Sequence, residues 1–501
     1  MSDATPDPAA DPTADRAADR DTDRDADRDA DRDTDRDADR DAANHQVTAT
    51  DLEDLQTRLG EAPVLTDPDL LEGYRQDWAK APNPGMPLAL VRARTTEDVQ
   101  EVMRWASEHS VPVVPRGAGS GLSGGATAVE GGIVLSTELM RDIAVDPVTR
   151  TATVQPGLLN AEVKAAVAEH GLWYPPDPSS YEICSIGGNI ATNAGGLCCV
   201  KYGVTTDYVL GMTVVLADGT AVRLGGPRLK DTAGLSLTKL FVGSEGTLGI
   251  VTEIIIRLLP EQAPRSTVVG IFPDVVACSE AVLAITSRLR PAMLEFMDNV
   301  TIRAVEADLR MGLDTTAGAM LLAQSDLTGS DRAAEAEFMA EAFRANGATE
   351  VFATDDPDEG EQFTVARRAA FTSLGKVGSL LLEDVGVPLP ALPQLVAGIG
   401  EISARRGVQI ALVAHAGDGN THPIIVLEDD DEDRAARAQL AFGEVMELAI
   451  GMGGTITGEH GVGRLKAPWL PVQLGDDVME LSRRIKAALD PQGILNPGVM
   501  L

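Results

Sequence analysis

Apolar and polar positions fall into a folded pattern only from about residue 50, where Leu52, Leu55 and Leu59 recur at the spacing of one helix face. Short β-rich runs then dominate, and strands are predicted at 88–91, 111–114, 133–136, 143–145, 151–154, 210–215, 222–224 and 249–259. Helices are predicted at 96–109 and 160–170, the first opened by Thr95-Thr96-Glu97-Asp98 as an N-terminal capping signal. After Pro260 strand-like runs (266–272, 318–324, 380–387, 409–414) alternate with Ala-rich amphipathic helices (275–288, 333–346, 392–406, 433–450). That alternation predicts a second domain of α+β class. A last helix at 474–489 stops at Asp490-Pro491, and the Gly- and Pro-punctuated stretch 493–498 reads as an ordered return segment. The expected division is a tail at 1–45, a β-rich domain at 46–265, an α+β domain at 266–470 and a C-terminal segment at 471–501 packing back on the first.

The tail is an Asp/Arg/Ala repeat with almost no large apolar side chains, so it cannot offset the entropy of ordering and is expected to be disordered. Its 16 Asp and 7 Arg carry −9 of the chain's −35, leaving −26 on residues 46–501. An acidic body gains no counterion release from nucleic acid or an anionic bilayer, which argues against both as partners. The four cysteines contain no C-x-x-C pair and supply no thiolate cluster in the usual spacing. The start lacks an apolar leader and no apolar run reaches the roughly 18–20 residues that span a bilayer. A cytoplasmic protein is expected, at a membrane only through a partner.

Three segments rich in Gly, Ser, Thr and Asn punctuate the β-rich domain. The first, 111–125, contains a G-x-G-x-x-G at Gly119, Gly121 and Gly124, but a strand rather than a helix is expected after it, so the Rossmann context fails. Glycines at this density still let backbone N–H groups converge on an anion such as a pyrophosphate. The others are 176–203, with PDPSS and SIGGNIATNAGG, and 243–250, GSEGTLGI. Together they can wrap an extended dinucleotide.

With these motifs, residues 51–501 resemble the flavin-linked D-2-hydroxy-acid dehydrogenases and oxidases, of the glycolate oxidase catalytic-subunit and D-lactate dehydrogenase type, within the vanillyl-alcohol-oxidase-like FAD superfamily. The resemblance implies a two-subdomain, PCMH-type FAD-binding domain at 46–265 and a substrate or cap domain at 266–470. It places Pro115, Arg116, Gly117, Ala118, Gly119, Ser120, Gly121 and Leu122 on the FAD pyrophosphate. Asp177, Ser180, Gly187, Gly188, Asn189, Thr192, Glu245, Gly246, Ile250 and Asn496 would complete the site. Some superfamily members bind flavin covalently through His, Cys or Tyr; the 115–125 loop has none, so non-covalent FAD is expected. Cys198 and Cys199 read as small buried hydrophobes rather than a redox pair.

Of six histidines, His45, His109 and His170 read as surface or satisfied core, whereas the other three stand in glycine-rich motifs. The stretch 413–426, with HAGDGNTH, reads as strand, tight turn and strand. In such a hairpin His415 and His422 are expected to face each other, about 4.5–5.5 Å apart at Cβ, close enough to meet one metal. Glu459 of TGEHG offers a third ligand, and neighbouring His460 a base. The resemblance implies the same: His415, His422 and Glu459 on a divalent metal (zinc, manganese or iron), with His460 as proton acceptor. It also implies that Arg367 clamps the substrate carboxylate, with Arg368 one residue away as the alternative and Lys376 a weaker one. A glycolate or D-lactate substrate is favoured over a dicarboxylate, because Pro423-Ile424 follows the second histidine where some dicarboxylate enzymes carry Asn. Two other readings stand beside it: an oxidase of another alcohol or ether-lipid class on the same scaffold, and a flavin-binding subunit of a larger oxidase complex. Electrons would leave FAD for O2, a quinone, a soluble acceptor or an iron–sulfur partner subunit.

Overall fold

The computed structural model describes residues 47–427 and 431–501; the expected disorder of the 1–45 tail falls outside them. From Ala49 to Leu501 the chain forms one unit.

The first sheet runs Val64–Leu65, Ala89–Arg92, Ile133–Ser136, Val113–Arg116, with the last three strands parallel. Helix Thr96–His109 makes the crossover between Ala89–Arg92 and Val113–Arg116, buries Val99, Val102, Met103, Trp105 and Ala106, and lies beside strands Val209–Val215 and Ile250–Arg257. Its start is the expected one. The Thr95 hydroxyl accepts from Asp98 N–H at 3.1 Å and the Asp98 carboxylate accepts from Thr95 N–H at 3.1 Å, a reciprocal capping box. No helix follows the glycine loop, which runs on through turns to Ile133–Ser136.

A second, antiparallel sheet orders Ile143–Asp146, Thr151–Val154, Ile250–Arg257, Val209–Val215 and Ala221–Gly225. The strand Ile250–Arg257 buries every second residue, as a strand with one covered face should. Part of the GGNIATNAGG segment is a short helix, Ile186–Thr192, capped by the Ser185 hydroxyl, with Ile186 and Ile190 in the core of this second sheet.

The third sheet is antiparallel and holds the strands described from Ser266 onward: Glu350–Thr354, Ser266–Phe272, Ala319–Ser325, Met293–Asp298, Gln409–His415, Asn420–Leu427 and Ser379–Leu382, with Val385–Gly386 also paired to Asn420–Leu427. Met293–Asp298 and Glu350–Thr354 were absent from the predicted strands. Four helices, Val275–Thr286, Gly329–Ala345, Leu392–Arg406 and Glu432–Gly451, bury one face of this sheet with Leu294, Phe296, Leu412 and Ile425. The other face carries Met293, Met297, Val413, Ile424 and Val426 against helices Asn299–Leu309 and Ala370–Gly375. On that second face the pleat also sets Glu295, His415 and His422, because side chains alternate along each strand.

After helix Asp476–Leu489 the chain returns to the first sheet, where Leu495 pairs in parallel with Val113. The Lys486 ammonium fixes the return by donating to the carbonyls of Thr247 and Leu495, both at 2.7 Å.

Candidate active site

A cleft of about 690 Å³ separates the glycine-rich loops from the third sheet, within the roughly 300–1,000 Å³ usual for small-molecule sites. Pro115, Arg116, Gly117, Ala118, Gly119, Ser120, Gly121 and Leu122 line it, as do Ser180, Gly187, Gly188, Asn189, Thr192, Glu245, Gly246 and Ile250. Close loop packing explains the glycines. Gly119 has φ +75°, and a Cβ there would lie 2.2 Å from the Arg116 guanidinium. A Cβ on Gly117 would lie 2.4 Å from Ser185 Oγ, the hydroxyl that accepts from both Ala118 N–H and Gly188 N–H at 3.2 Å. Such a wall of backbone groups without side chains suits an extended dinucleotide, so the cleft fits FAD. The Arg116 side chain is turned aside, donating to the Gln76 carbonyl at 3.0 Å and lying over the Tyr74 ring.

Two of the expected cofactor contacts are occupied elsewhere. Asp177 accepts from Cys198 N–H at 3.1 Å and pairs with Arg368 at 3.0 Å, binding the 176–180 segment to helix Pro357–Arg368. Asn496 donates to the carbonyls of Gly125 and Glu245 at 2.9 and 2.8 Å, tying two of the cleft loops together from behind. Neither lines the cleft. Lys376 likewise lies outside it, paired with Asp308 at 2.5 Å.

His415 and His422 do stand on a hairpin, but its register is not the expected one. His415 is opposite Asn420 and His422 is opposite Val413, so the two histidines are diagonal neighbours on one face, with ring centres 5.0 Å apart. The four-residue turn between the strands shifts the pairing. His415 Nε2 and His422 Nε2 both reach Glu459 Oε1, at 2.9 and 3.2 Å. Those separations are close to the roughly 3.4 Å between ligands of a tetrahedral ion bound at about 2.1 Å. The donor set therefore fits a divalent metal. Burial alone would raise the Glu459 carboxyl, yet His415 and His422 hold it well below the usual range. His415 is held well above its usual value by Glu295 and Glu459 in spite of burial.

His460 lines the cleft, stacked on His422 at 4.7 Å between ring centres. Burial pushes its imidazole down to about 4 against the pull of Asp384, so the ring is neutral. Its loop is held by a residue that the sequence did not single out. Oδ2 of the fully buried Asp384 accepts from the backbone N–H of Gly458, Glu459 and His460 at 2.9, 2.9 and 2.8 Å, and from the Thr457 hydroxyl at 2.7 Å. Burial would raise the Asp384 carboxyl, but His460, Lys466 and His422 beside it hold it below the usual carboxylate range. The acidic pair Glu383-Asp384 directly after the apolar run 380–382 was its one visible signal. Glu245 closes the other side, accepting from Val462 N–H and Gly463 N–H at 2.7 and 2.8 Å. It thereby joins GSEG to TGEHG.

Arg367 and Arg368, at the end of helix Pro357–Arg368, both line the cleft; Arg367 is buried, and Arg368 is committed to Asp177 and stacked over Tyr181. Glu295, also unforeseen, lies 2.9 Å from the Arg367 guanidinium. Phe371, Leu382, Val413 and Ile424 give this end of the cleft an apolar wall, and Trp78 stacks on Phe371 across its mouth.

The FAD binding domain family matches residues 87–225, and the C-terminal domain of FAD linked oxidases matches residues 261–500. Over 418 residues the chain is 42% identical to the glycolate oxidase subunit GlcD of Bacillus subtilis, covering 83% of this chain and 89% of that one. It is 34% identical over 445 residues to a D-lactate dehydrogenase of Archaeoglobus fulgidus, covering 88% and 94%. In fold it is similar to p-cresol methylhydroxylase, solved with substrate bound, at a TM-score of 0.75 and 19% identity over 90% of this chain and 97% of that one. The chain belongs to the family of FAD-linked oxidoreductases, built from a PCMH-type FAD-binding domain and an α+β C-terminal domain, that includes these glycolate oxidase subunits and D-lactate dehydrogenases.

Proposed function

We propose that this protein oxidises a D-2-hydroxy acid, glycolate or D-lactate, to the 2-oxo acid. The observation that carries the reading is the meeting of His415, His422, Glu459, His460 and Arg367 at one end of a cleft suited to FAD. FAD held in that cleft without a covalent bond supplies the acceptor of the Cα hydride, and a divalent ion on His415, His422 and Glu459 supplies positive charge that eases loss of the hydroxyl proton.

The remaining tasks belong to the chain's own side chains. Arg367 binds and orients the substrate carboxylate, a role suited to its planar fork of donors. Neutral His460 takes the hydroxyl proton at Nε2, the nitrogen on the Glu459 side, while Nδ1 faces Asp384. Phe371, Leu382, Val413 and Ile424 exclude water and accept a small apolar substituent rather than a second carboxylate. A proton and two electrons thus leave Cα together as hydride, and a second proton leaves the hydroxyl.

The relative from Bacillus subtilis is named as a subunit of glycolate oxidase, and we extend to this chain a partner subunit or a quinone that takes the electrons onward. An oxidase of another alcohol class would not use the His/Glu set, so removal of the metal would leave its turnover intact.

The test is anaerobic. Glycolate or D-lactate added to the holoprotein under argon should bleach the oxidised flavin band, and L-lactate should not. If dithionite bleaches the flavin but none of these acids does, the reading is wrong.

A further inference from the structure

We propose that Glu295 is a positioning residue that couples the carboxylate-binding arginine to the metal-binding histidine, by fixing which nitrogen of His415 faces the ion and by neutralising part of the Arg367 charge. The inference rests on the function proposed above.

Glu295 lies in the strand Met293–Asp298 and is 1% exposed. Sheet register places it directly opposite His415 on the neighbouring antiparallel strand. Its two carboxylate oxygens sit 2.8 and 2.9 Å from His415 Nδ1. Oε2 is also 2.9 Å from Arg367 Nη2. One buried carboxylate therefore touches both halves of the site. A buried charge is tolerated only when paired, and here a guanidinium and an imidazole N–H share that task.

Two consequences follow from this geometry. Glu295 accepts a hydrogen bond from His415 Nδ1–H, which leaves Nε2, the nitrogen on the Glu459 side, as the one whose lone pair an ion held there would take; outer carboxylates of this kind raise the basicity of a ligating imidazole. Arg367 is in ion contact with Glu295, yet its Nε and Nη2 have no hydrogen-bond acceptor in the required geometry. Those two nitrogens remain uncommitted while the guanidinium charge is partly cancelled. The same carboxylate thus strengthens the metal site and weakens the hold on a substrate anion.

Glu295→Gln keeps the shape and removes the charge, so the two affinities should move in opposite directions. Holoprotein stripped of metal and titrated with Zn2+ against a chromophoric chelator should bind the ion roughly 10–100-fold more weakly in the variant. Metal-saturated variant should bind propionate, which cannot be oxidised, several-fold more tightly, as read from the flavin spectrum. A merely structural role would weaken both together or neither. Equal Zn2+ affinity in wild type and a variant that retains its FAD overturns the inference but leaves the proposed function standing. A wild type that binds no divalent ion removes the metal from both. Independently of any variant, the 15N-histidine spectrum of zinc-loaded wild type should show His415 protonated at Nδ1 and coordinated through Nε2. Coordination through Nδ1 contradicts the proposal.

Discussion

The carboxylate of Asp384 and the backbone N–H of His460 meet at 2.8 Å, and two further amides and a hydroxyl share the same oxygen. The loop bearing Glu459 and His460, the proposed metal ligand and base, is therefore shaped by one buried side chain. Asp384→Ala leaves the half-buried N–H groups of Glu459 and His460 without an acceptor, at about 1–3 kcal/mol each, while Gly458 N–H keeps the residue-384 backbone carbonyl at 3.2 Å. We expect turnover to fall at least about 100-fold and the melting temperature to drop by several degrees, with FAD retained. Turnover within twofold of wild type would show that the loop holds its shape without Asp384.

Removing the proposed base separates binding from chemistry. His460→Asn should stay yellow, because the glycine loops are untouched, while the rate of flavin reduction by substrate falls by roughly 10²–10⁴. Stopped-flow absorbance reads it directly. Reduction at the wild-type rate would move the proton acceptor elsewhere.

The adjacent arginines make a paired experiment. Both line the cleft, but Arg368 is already bound to Asp177 at 3.0 Å. A charge-assisted bond of about 1.5–3 kcal/mol corresponds to a roughly 10–100-fold rise in KM for Arg367→Lys. Arg368→Lys should leave KM near wild type and lower stability. The opposite pattern would transfer the carboxylate role to Arg368.

Much of this site can be read along the chain, because HAGDGNTH and TGEHG carry their chemistry in contiguous residues and the glycines mark where loops approach. What cannot be read depends on which strands become neighbours. Glu295 is one acid in the run MLEFMD, and only the placement of Met293–Asp298 beside Gln409–His415 brings it to His415. Asp384 ends an apolar run and meets its four donors across more than seventy residues. Asp177 sits in a cofactor motif but is committed to Arg368, a partner on an element whose acid-rich start, 355–361, hides a helix. There Asp356 caps, Pro357 opens the first turn, and Asp358 and Glu359 complement the helix dipole.

The bridge from Glu245 to Val462 and Gly463 gives stability a pH dependence. Burial pushes this carboxyl from 4.5 up to about 7, although both N–H donors pull it down. A raised acid contributes stability fully present below the unfolded value and lost as pH rises through the folded one. Between pH 4.5 and 7 the loss is on the order of 3 kcal/mol. Thermal melts of wild type and Glu245→Gln at pH 5 and pH 8 check this, since the variant should gain relative to wild type at pH 8. A gap that does not change with pH would rule out this titration.

The central claim is that two imidazoles and one carboxylate hold a single ion beside the flavin. Anomalous diffraction at the metal absorption edge, from crystals of metal-loaded holoprotein, tests it most directly. The account predicts one peak about 2.0–2.2 Å from His415 Nε2, His422 Nε2 and the Glu459 carboxylate. Crystals that carry FAD and are bleached by substrate, yet show no peak at that position, would contradict it.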